Sequence, residues 1–122
     1  MKALTAVYLA FCLTSLAFAQ DRPFLSKAEV ETLASGKSWS FRDQGVTLQW
    51  NLQAGGYLSA RNLVITDVRD KGTWLVNDKA QLCVKFLRSF TDRCVAVLKE
   101  GEKLTMVDSN SMDGVFAEFT VQ

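Results

Sequence analysis

Two periodicities divide the chain beyond its N-terminal region. Around residues 27–35 the apolar residues recur at helical spacing, whereas from residue 37 onward they alternate with polar residues. Alternation with a period of two is typical of half-buried β-strands, whose successive side chains point to opposite faces. The pattern therefore predicts one short helix followed by a β-rich domain.

The predicted helix, roughly Lys27 to Ser35, has start and stop signals in the sequence. Ser26 can cap its N-terminus, and Glu29 stands three residues later, as a capping box requires. Gly36 supplies the stop. The apolar residues of this segment share one side, so we expect the helix to plug or flank a sheet.

Short strands follow at intervals of about ten residues. The clearest are 37–42 and 46–52, and the others are predicted at 57–65, 73–76, 81–87, 94–99, 103–108 and 114–121. Turn residues separate them, for example Asp43-Gln44-Gly45 and Asp70-Lys71-Gly72. Seven or eight such strands favour an antiparallel meander, closed as a small barrel or curled as a sheet that hides its edges.

Residues 1–19 have the three parts of a secretory signal peptide. A basic start at Lys2 leads into an apolar run, and Ala17-Phe18-Ala19 forms a cleavage site of the Ala-x-Ala type. A membrane anchor is less favoured, because a span needs about 20 apolar residues and this run is shorter. We expect a periplasmic or secreted protein with a single β-rich domain at residues 20–122.

Charge argues against two classes of partner. The whole chain has a formal net charge of +1, and removal of Lys2 with the signal peptide makes it neutral. Nucleic-acid binders usually carry a basic excess, and membrane-surface proteins often carry a basic amphipathic helix. We therefore expect no nucleic-acid partner and no membrane insertion after signal cleavage.

Two of the three cysteines, Cys83 and Cys94, remain after signal cleavage. An even pair in an exported chain predicts a disulfide. The two cysteines are symmetric about a turn near residues 88–89, so hairpin pairing places them opposite each other. A bond that closes such a short loop contributes roughly 2–3 kcal/mol in the chain-entropy view.

The residues offer little catalytic chemistry. The chain has no histidine, which removes the commonest general base and the commonest metal ligand at neutral pH. A disulfide leaves no thiolate for catalysis or zinc binding. We expect no catalytic residues, no metal and no cofactor.

Carboxylates are the remaining catalytic candidates: Asp43, Asp67, Asp70, Asp108 and Asp113. Nearly all fall in predicted turns, where aspartate is favoured for local hydrogen bonds, and a glycosidase-like pair is the less favoured interpretation. Residues 108–114 are superficially similar to a calcium loop, but the spacing is one residue too long and Phe119 stands where an acid is needed. A solvated hairpin loop is favoured.

Two clusters are candidate binding surfaces. Four aromatic residues are expected to face one interior, where they either line a pocket for an apolar ligand or sugar or form core, which is favoured: Trp39, Trp50, Tyr57 and Trp74. A second set surrounds the cysteine hairpin, with an aromatic at its tip: Lys85, Arg88, Phe90 and Arg93. This set forms either a partner-binding edge or, as favoured, a solvated charged loop.

Three groups of residues carry a family resemblance: Leu33-x-x-Gly36-x-x-Trp39, Gly72-Thr73-Trp74-x-Val76, and Leu82-Cys83-Val84-x-Phe86 with a second cysteine at Cys94. The pattern resembles a family of small exported Gram-negative bacterial domains of unknown function and would cover most of residues 20–122. The resemblance implies a lipocalin-like β fold in the periplasm. It implies no activity, and the cysteine and glycine-tryptophan positions carry over as structural residues only.

The expected function is that of an exported, non-enzymatic binding module of the bacterial envelope. Its ligand would be a protein partner or a small apolar molecule. Two alternatives stay open, a carboxylate-only envelope hydrolase and a structural accessory subunit of an envelope assembly.

Export predicts a defined N-terminus. The protein recovered from the periplasm or medium should lack residues 1–19 and begin at Gln20, because the cleavage site follows Ala19. Intact-mass spectrometry measures this directly. A recovered chain that retains Met1 would contradict the prediction.

Overall fold

The computed structural model describes residues 24–108 and 115–122. One helix, α1 (Lys27–Ala34), precedes eight strands: β1 (Lys37–Asp43), β2 (Val46–Leu52), β3 (Tyr57–Asn62), β4 (Arg69–Val76), β5 (Leu82–Phe86), β6 (Arg93–Glu100), β7 (Lys103–Asp108) and β8 (Val115–Val121). Each strand pairs antiparallel with the next, and β8 pairs with β1 to close a barrel. The predicted helix followed by an antiparallel meander is confirmed, in its closed form.

Helix α1 begins as its sequence signals predict. The Ser26 side chain accepts a hydrogen bond from the Glu29 backbone N–H at 3.2 Å, and the Glu29 carboxylate accepts one from the Ser26 N–H at 2.8 Å. The helix ends at Ala34, one residue before the predicted end. Gly36 then adopts a φ of +77°, which favours glycine.

Helix α1 closes one end of the barrel. Val30 and Ala34 are fully buried in the core, and the Leu33 carbonyl accepts a hydrogen bond from the Trp39 indole at 3.0 Å. Lys27 forms an ion pair with Asp78, in the β4–β5 turn, at 3.3 Å. We call the opposite end, where β1 ends and β2 begins, the mouth. No helix within the described ranges is long and apolar enough to cross a membrane.

The barrel interior is filled by alternate residues of the strands. Trp39 of β1 and Trp50 of β2 are direct cross-strand partners, and their ring centroids lie 6.4 Å apart. Phe119 of β8 stacks on Trp39 at 4.3 Å. This aromatic layer joins three neighbouring strands across the line where the barrel closes, and such pairs contribute beyond the apolar area that they bury.

Cys83 and Cys94 form a disulfide between β5 and β6. They are direct cross-strand partners, so the predicted pairing is confirmed. The ladder between β5 and β6 has three residue pairs, whereas that between β1 and β2 has seven. The covalent bond therefore secures one of the shortest seams of the barrel.

Two boundaries around the β3–β4 hairpin differ from the prediction. Strand β3 ends at Asn62 rather than at residue 65, because the Asn62 side chain accepts hydrogen bonds from the backbone N–H groups of Val64 and Ile65, both at 2.8 Å. The predicted turn at residues 70–72 is wrong, since these residues lie inside β4. The predicted turn at 108–111 and the calcium-like segment lie, after Asp108, outside the described residues.

Gly72 stands inside a strand because another backbone passes close to it. A Cβ at this position would overlap the carbonyl oxygen of Lys85 on β5 and lie 2.8 Å from its carbonyl carbon. Glycine in a strand interior often marks such an approach. The residue that suggested a turn in the sequence thus reflects strand packing.

Replacement of this glycine should destabilise the fold. Gly72→Ala should lower the free energy of unfolding by about 2–3 kcal/mol, because β4 and β5 must separate to admit the methyl group. Chemical denaturation of the purified protein measures the change. Gly55→Ala is the matched control, since a Cβ there meets its nearest atom at 3.8 Å, and an equal loss in both variants would contradict this explanation.

Candidate functional site: the barrel mouth

A cleft of about 200 Å³ lies at the mouth, opposite helix α1. Residues of β1, β2, β5, β6 and β8 form its walls, together with Val68 of the β3–β4 hairpin and residues 89–91 of the β5–β6 loop. Five of the lining side chains are aromatic: Phe41, Trp50, Phe86, Phe90 and Phe116. Aromatic walls with a few polar groups are typical of small-molecule sites.

The aromatic rings of the cleft contact one another in a continuous series. Phe41 meets Trp50 edge to face at 4.8 Å and Phe116 at 5.5 Å. Phe86 lies 6.4 Å from Trp50 and 5.4 Å from Phe90. The contacts hold the walls in place, so the cleft is largely preformed.

The indole of Trp50 has a buried donor without an acceptor. Trp50 is 2% exposed, and its Nε1–H has no hydrogen-bond partner within the described residues. The other two indoles are satisfied, Trp39 by the Leu33 carbonyl at 3.0 Å and Trp74 by the Gln53 carbonyl at 2.8 Å. Buried polar groups are nearly always paired, so this unpaired donor is an exception among the described residues.

Arg93 reaches across the mouth from β6. Its guanidinium lies 2.8 Å from an Asp108 carboxylate oxygen and 3.9 Å from one of Asp43. The same guanidinium lies 3.9 Å from the centroid of the Phe116 ring. Because two strands separate β6 from β1, Arg93 ties opposite walls of the mouth together.

Asp70 fixes the loop that carries Phe90. This buried carboxylate accepts hydrogen bonds from the backbone N–H groups of Lys71, Arg88, Ser89 and Phe90 at 2.8–3.1 Å. Burial alone would raise the pKa of Asp70, but the four backbone donors outweigh it and hold that pKa below its usual value. The Asp70 carboxylate, which belongs to β4, thereby orders the β5–β6 loop that forms one wall of the cleft.

The four aromatic residues that were predicted to line a ligand pocket lie in different environments. Trp39 is fully buried in the core, and Trp50 lines the cleft. Trp74 is half-buried against the core, with its indole bound to Gln53. The expectation that Tyr57 faces the interior is wrong, since it is 65% exposed; Leu58 and Ala60 are the inward-facing residues of this strand.

The predicted partner edge at the cysteine hairpin is not one surface. Lys85 and Arg88 are exposed, whereas Phe90 is half-buried and packs against the core. Phe90 and Arg93 both line the cleft. The expectation of an exposed aromatic tip is wrong, because Asp70 draws the loop backbone inward.

The aspartates are mostly not free turn residues. Asp43 and Asp108 converge on Arg93, and Asp70 is buried under the loop. Asp67 is exposed, and Asp113 lies outside the described residues. Three of the five therefore hold structure at the mouth through distant residues, where the sequence suggested local hydrogen bonds within turns.

Sequence reasoning missed Phe41, Phe86 and Phe116 as lining residues. Each lies near the mouth end of its strand, and in an up-and-down barrel the ends of alternate turns share one rim. The order of the turns along the sequence indicates which strand ends share a rim. Only the closed barrel, however, shows that the ends of β1, β5 and β8 meet at the mouth.

Asp70 should be necessary for stability. Asp70→Asn should lower the free energy of unfolding by about 3 kcal/mol, because the amide turns N–H groups toward backbone donors and leaves buried groups unpaired. Denaturant titration measures the loss. Asp67→Asn, an exposed neighbour, should change stability by no more than about 0.5 kcal/mol; similar losses in both would contradict the role of Asp70.

The same carboxylate should make stability depend on acid. Because its pKa is lower in the folded than in the unfolded chain, its stabilisation is complete above about pH 4 and is lost as the pH falls below that value. The melting temperature, measured at several values between about pH 2 and 6, should fall more steeply with acid for the wild type than for Asp70→Asn. Parallel curves would contradict the prediction.

Comparisons with known proteins give no information about this site. The chain matches no model in a scan of protein families, and a search of curated proteins finds no match to it. The resemblance drawn from the Gly-x-Trp and cysteine positions therefore stays an expectation.

Proposed function

We propose that the protein is an exported, non-enzymatic binding module that holds a small, largely apolar ligand at the barrel mouth. The unpaired Nε1–H of Trp50, buried beside an aromatic cleft, carries the proposal. A buried donor left unpaired costs about 1–3 kcal/mol. The N–H is itself buried, so a ligand recovers that cost only if its acceptor enters beside the indole and displaces part of the cleft wall.

The dimensions of the cleft limit the ligand. Sites for drug-sized molecules enclose about 300–1,000 Å³, and the mouth encloses about 200 Å³. A single ring that carries a carbonyl or similar acceptor fits this space. Its faces would stack on Phe41, Phe86 and Phe90, which contribute aromatic contacts around Trp50.

Export and a periplasmic or secreted location are part of the proposal. The disulfide is compatible with export, because such bonds persist in oxidising compartments and are rare in the cytosol. The signal-peptide features of residues 1–19 support the same location.

The arrangement of the carboxylates favours binding over hydrolysis. A hydrolase that uses two carboxylates needs one carboxyl that keeps its proton near neutral pH. The carboxylates of Asp43 and Asp108 share one guanidinium, and the pKa of Asp70 is lowered. These are features of ion pairs and loop anchors.

Barrel closure favours a binding module over a structural accessory subunit that joins an envelope assembly through an open strand edge. Each of the eight described strands pairs with two neighbours. An open sheet edge, onto which a partner strand could add, is therefore absent among them.

The indole N–H resonances provide the test. We expect acetophenone, a single ring with one carbonyl acceptor, to move the Trp50 Nε1–H resonance downfield in a saturable manner, because the N–H gains a hydrogen bond. A titration followed by ¹H–¹⁵N correlation spectra measures this. The resonance is assigned as the one that Trp50→Phe removes.

The protein contains its own controls. The Trp39 and Trp74 N–H groups already donate to backbone carbonyls, so their resonances should move little. Equal shifts for all three indoles, or no shift for Trp50, would contradict the proposal. Native mass spectrometry of the protein isolated from its own compartment then tests whether a molecule of this size is retained.

A further inference from the structure

A second surface lies at the β3–β4 hairpin tip, residues 63–68. Four aliphatic side chains are exposed there: Leu63 by 37%, Val64 by 67%, Ile65 by 53% and Val68 by 39%. Exposed apolar residues are common singly, but a contiguous group marks an interaction site. The surface is separate from Trp50, although Val68 also borders the cleft.

The hairpin tip is a built turn. The Asn62 side chain accepts from the N–H groups of Val64 and Ile65, and the Val68 N–H donates to the Ile65 carbonyl at 3.0 Å. The Leu63 N–H donates to the Thr47 carbonyl of β2 at 2.8 Å. With four of its backbone N–H groups hydrogen-bonded, the tip presents aliphatic side chains outward at little further cost in conformational entropy.

Cations stand directly behind the tip. Arg61 and Arg69 are direct cross-strand partners on the outer face of β3 and β4, and like charges placed opposite each other destabilise a sheet. Lys71 and Arg88 join them around an outer groove of about 430 Å³. None of these four cations forms an ion pair with an acid within residues 24–108 and 115–122.

Two acids lie near the four cations. Asp67 belongs to the hairpin tip and is exposed. Asp70 lines the groove, but its carboxylate accepts four backbone N–H groups. Arg61 donates to the Gln49 side-chain oxygen at 3.2 Å, and Arg69 donates to the Thr66 carbonyl at 3.1 and 3.3 Å. Neither forms an ion pair with a described acid, so the surface keeps a local excess of positive charge.

We infer that the hairpin tip and the cations behind it form a docking surface for an anionic phospholipid bilayer. Strand residues rise about 3.3 Å each, so Arg61 lies roughly 7 Å behind Leu63 along the hairpin. Interfacial segments bury their apolar side by about 5–10 Å. When the tip reaches the acyl boundary, Arg61 and Arg69 lie at the level of the phosphate groups.

The composition of the tip favours lipid over a protein partner. Protein-binding hot spots are enriched in Trp and Tyr, whereas the exposed apolar side chains of this tip are all aliphatic and stand beside Thr66 and Asp67. The inference departs from the sequence-based expectation of no membrane insertion. That expectation rested on a neutral total charge and on the lack of a basic helix. Neither feature reveals a local cluster of cations, such as the one that β3, β4 and the β5–β6 loop form on one side of the barrel.

Vesicle co-sedimentation tests the surface. The whole chain is expressed, and wild type and variants with the same measured N-terminus are compared. Binding to vesicles that contain phosphatidylglycerol should exceed binding to pure phosphatidylcholine and should weaken with salt. Val64→Asp should reduce binding roughly ten-fold or more, and Arg61→Gln roughly five-fold, without lowering Tm.

Matched controls lie toward the other end of the barrel. Leu75 is 57% exposed on the outer face of β4, and Lys79 is exposed in the β4–β5 turn. Leu75→Asp and Lys79→Gln should leave vesicle binding unchanged. Equal losses in these controls, equal binding by Val64→Asp and wild type, or no preference for anionic vesicles would overturn the inference.

A local probe reports on the tip itself. In Val64→Trp, the new indole should be quenched by lipids brominated along their acyl chains, and its emission should shift to the blue. This readout holds even if another part of the chain also contacts the vesicle. An unquenched indole at residue 64 would show that the tip does not enter the bilayer and would overturn the inference.

Discussion

The pairing of β1 with β8 is the constraint on which the rest of the structure depends. Phe41 is the cross-strand partner of Phe119 in this short ladder, and the Phe119 ring also stacks on the ring of Trp39. Closure turns a meander into a tube with two ends and no open edge among the described strands. Helix α1 fills one end, and the cleft formed by the described residues reaches the interior from the other.

The interior changes character from the helix end to the mouth. Near α1 the inward-facing side chains are apolar and fully buried, whereas near the mouth they include Asp43, Asp70, Arg93 and Asp108. Charges at the inner rim have to be paired, since an unpaired buried charge is costly. Arg93 and the backbone of the β5–β6 loop provide those partners. The same pairing leaves Trp50 as the described buried side chain with hydrogen-bonding capacity to spare.

The local rules of the chain predicted much of the fold. The capping box at Ser26 and Glu29, the alternation in β1 and β2, and the symmetric cysteines all depend on neighbours in sequence, and each is confirmed. The clearest error arises where a distant strand decides the outcome. Gly72 was assigned to a turn, although its place in a strand follows from the close approach of Lys85.

The candidate site was less predictable for the same reason. Trp50 was named as a lining residue, but Phe41, Phe86 and Phe116 become neighbours only when the barrel closes. Asp70 shows the limit most clearly, because three of its four partners are backbone N–H groups eighteen to twenty residues away. Backbone groups carry no residue-specific signal, so no side-chain pattern could have indicated them.

The register of β4 has a consequence for how this chain can change. Its pleat sends Arg69 and Lys71 outward and Asp70 inward, so a single strand serves both the groove and the wall of the cleft. A slip or insertion of one residue would exchange the two sets, burying guanidinium and ammonium groups and exposing the loop anchor. Gly72 opposes such a slip, because it alone fits beneath the Lys85 carbonyl. Gly72, which has no side chain, thus keeps the inward-facing and outward-facing residues of β4 on their own sides of the barrel.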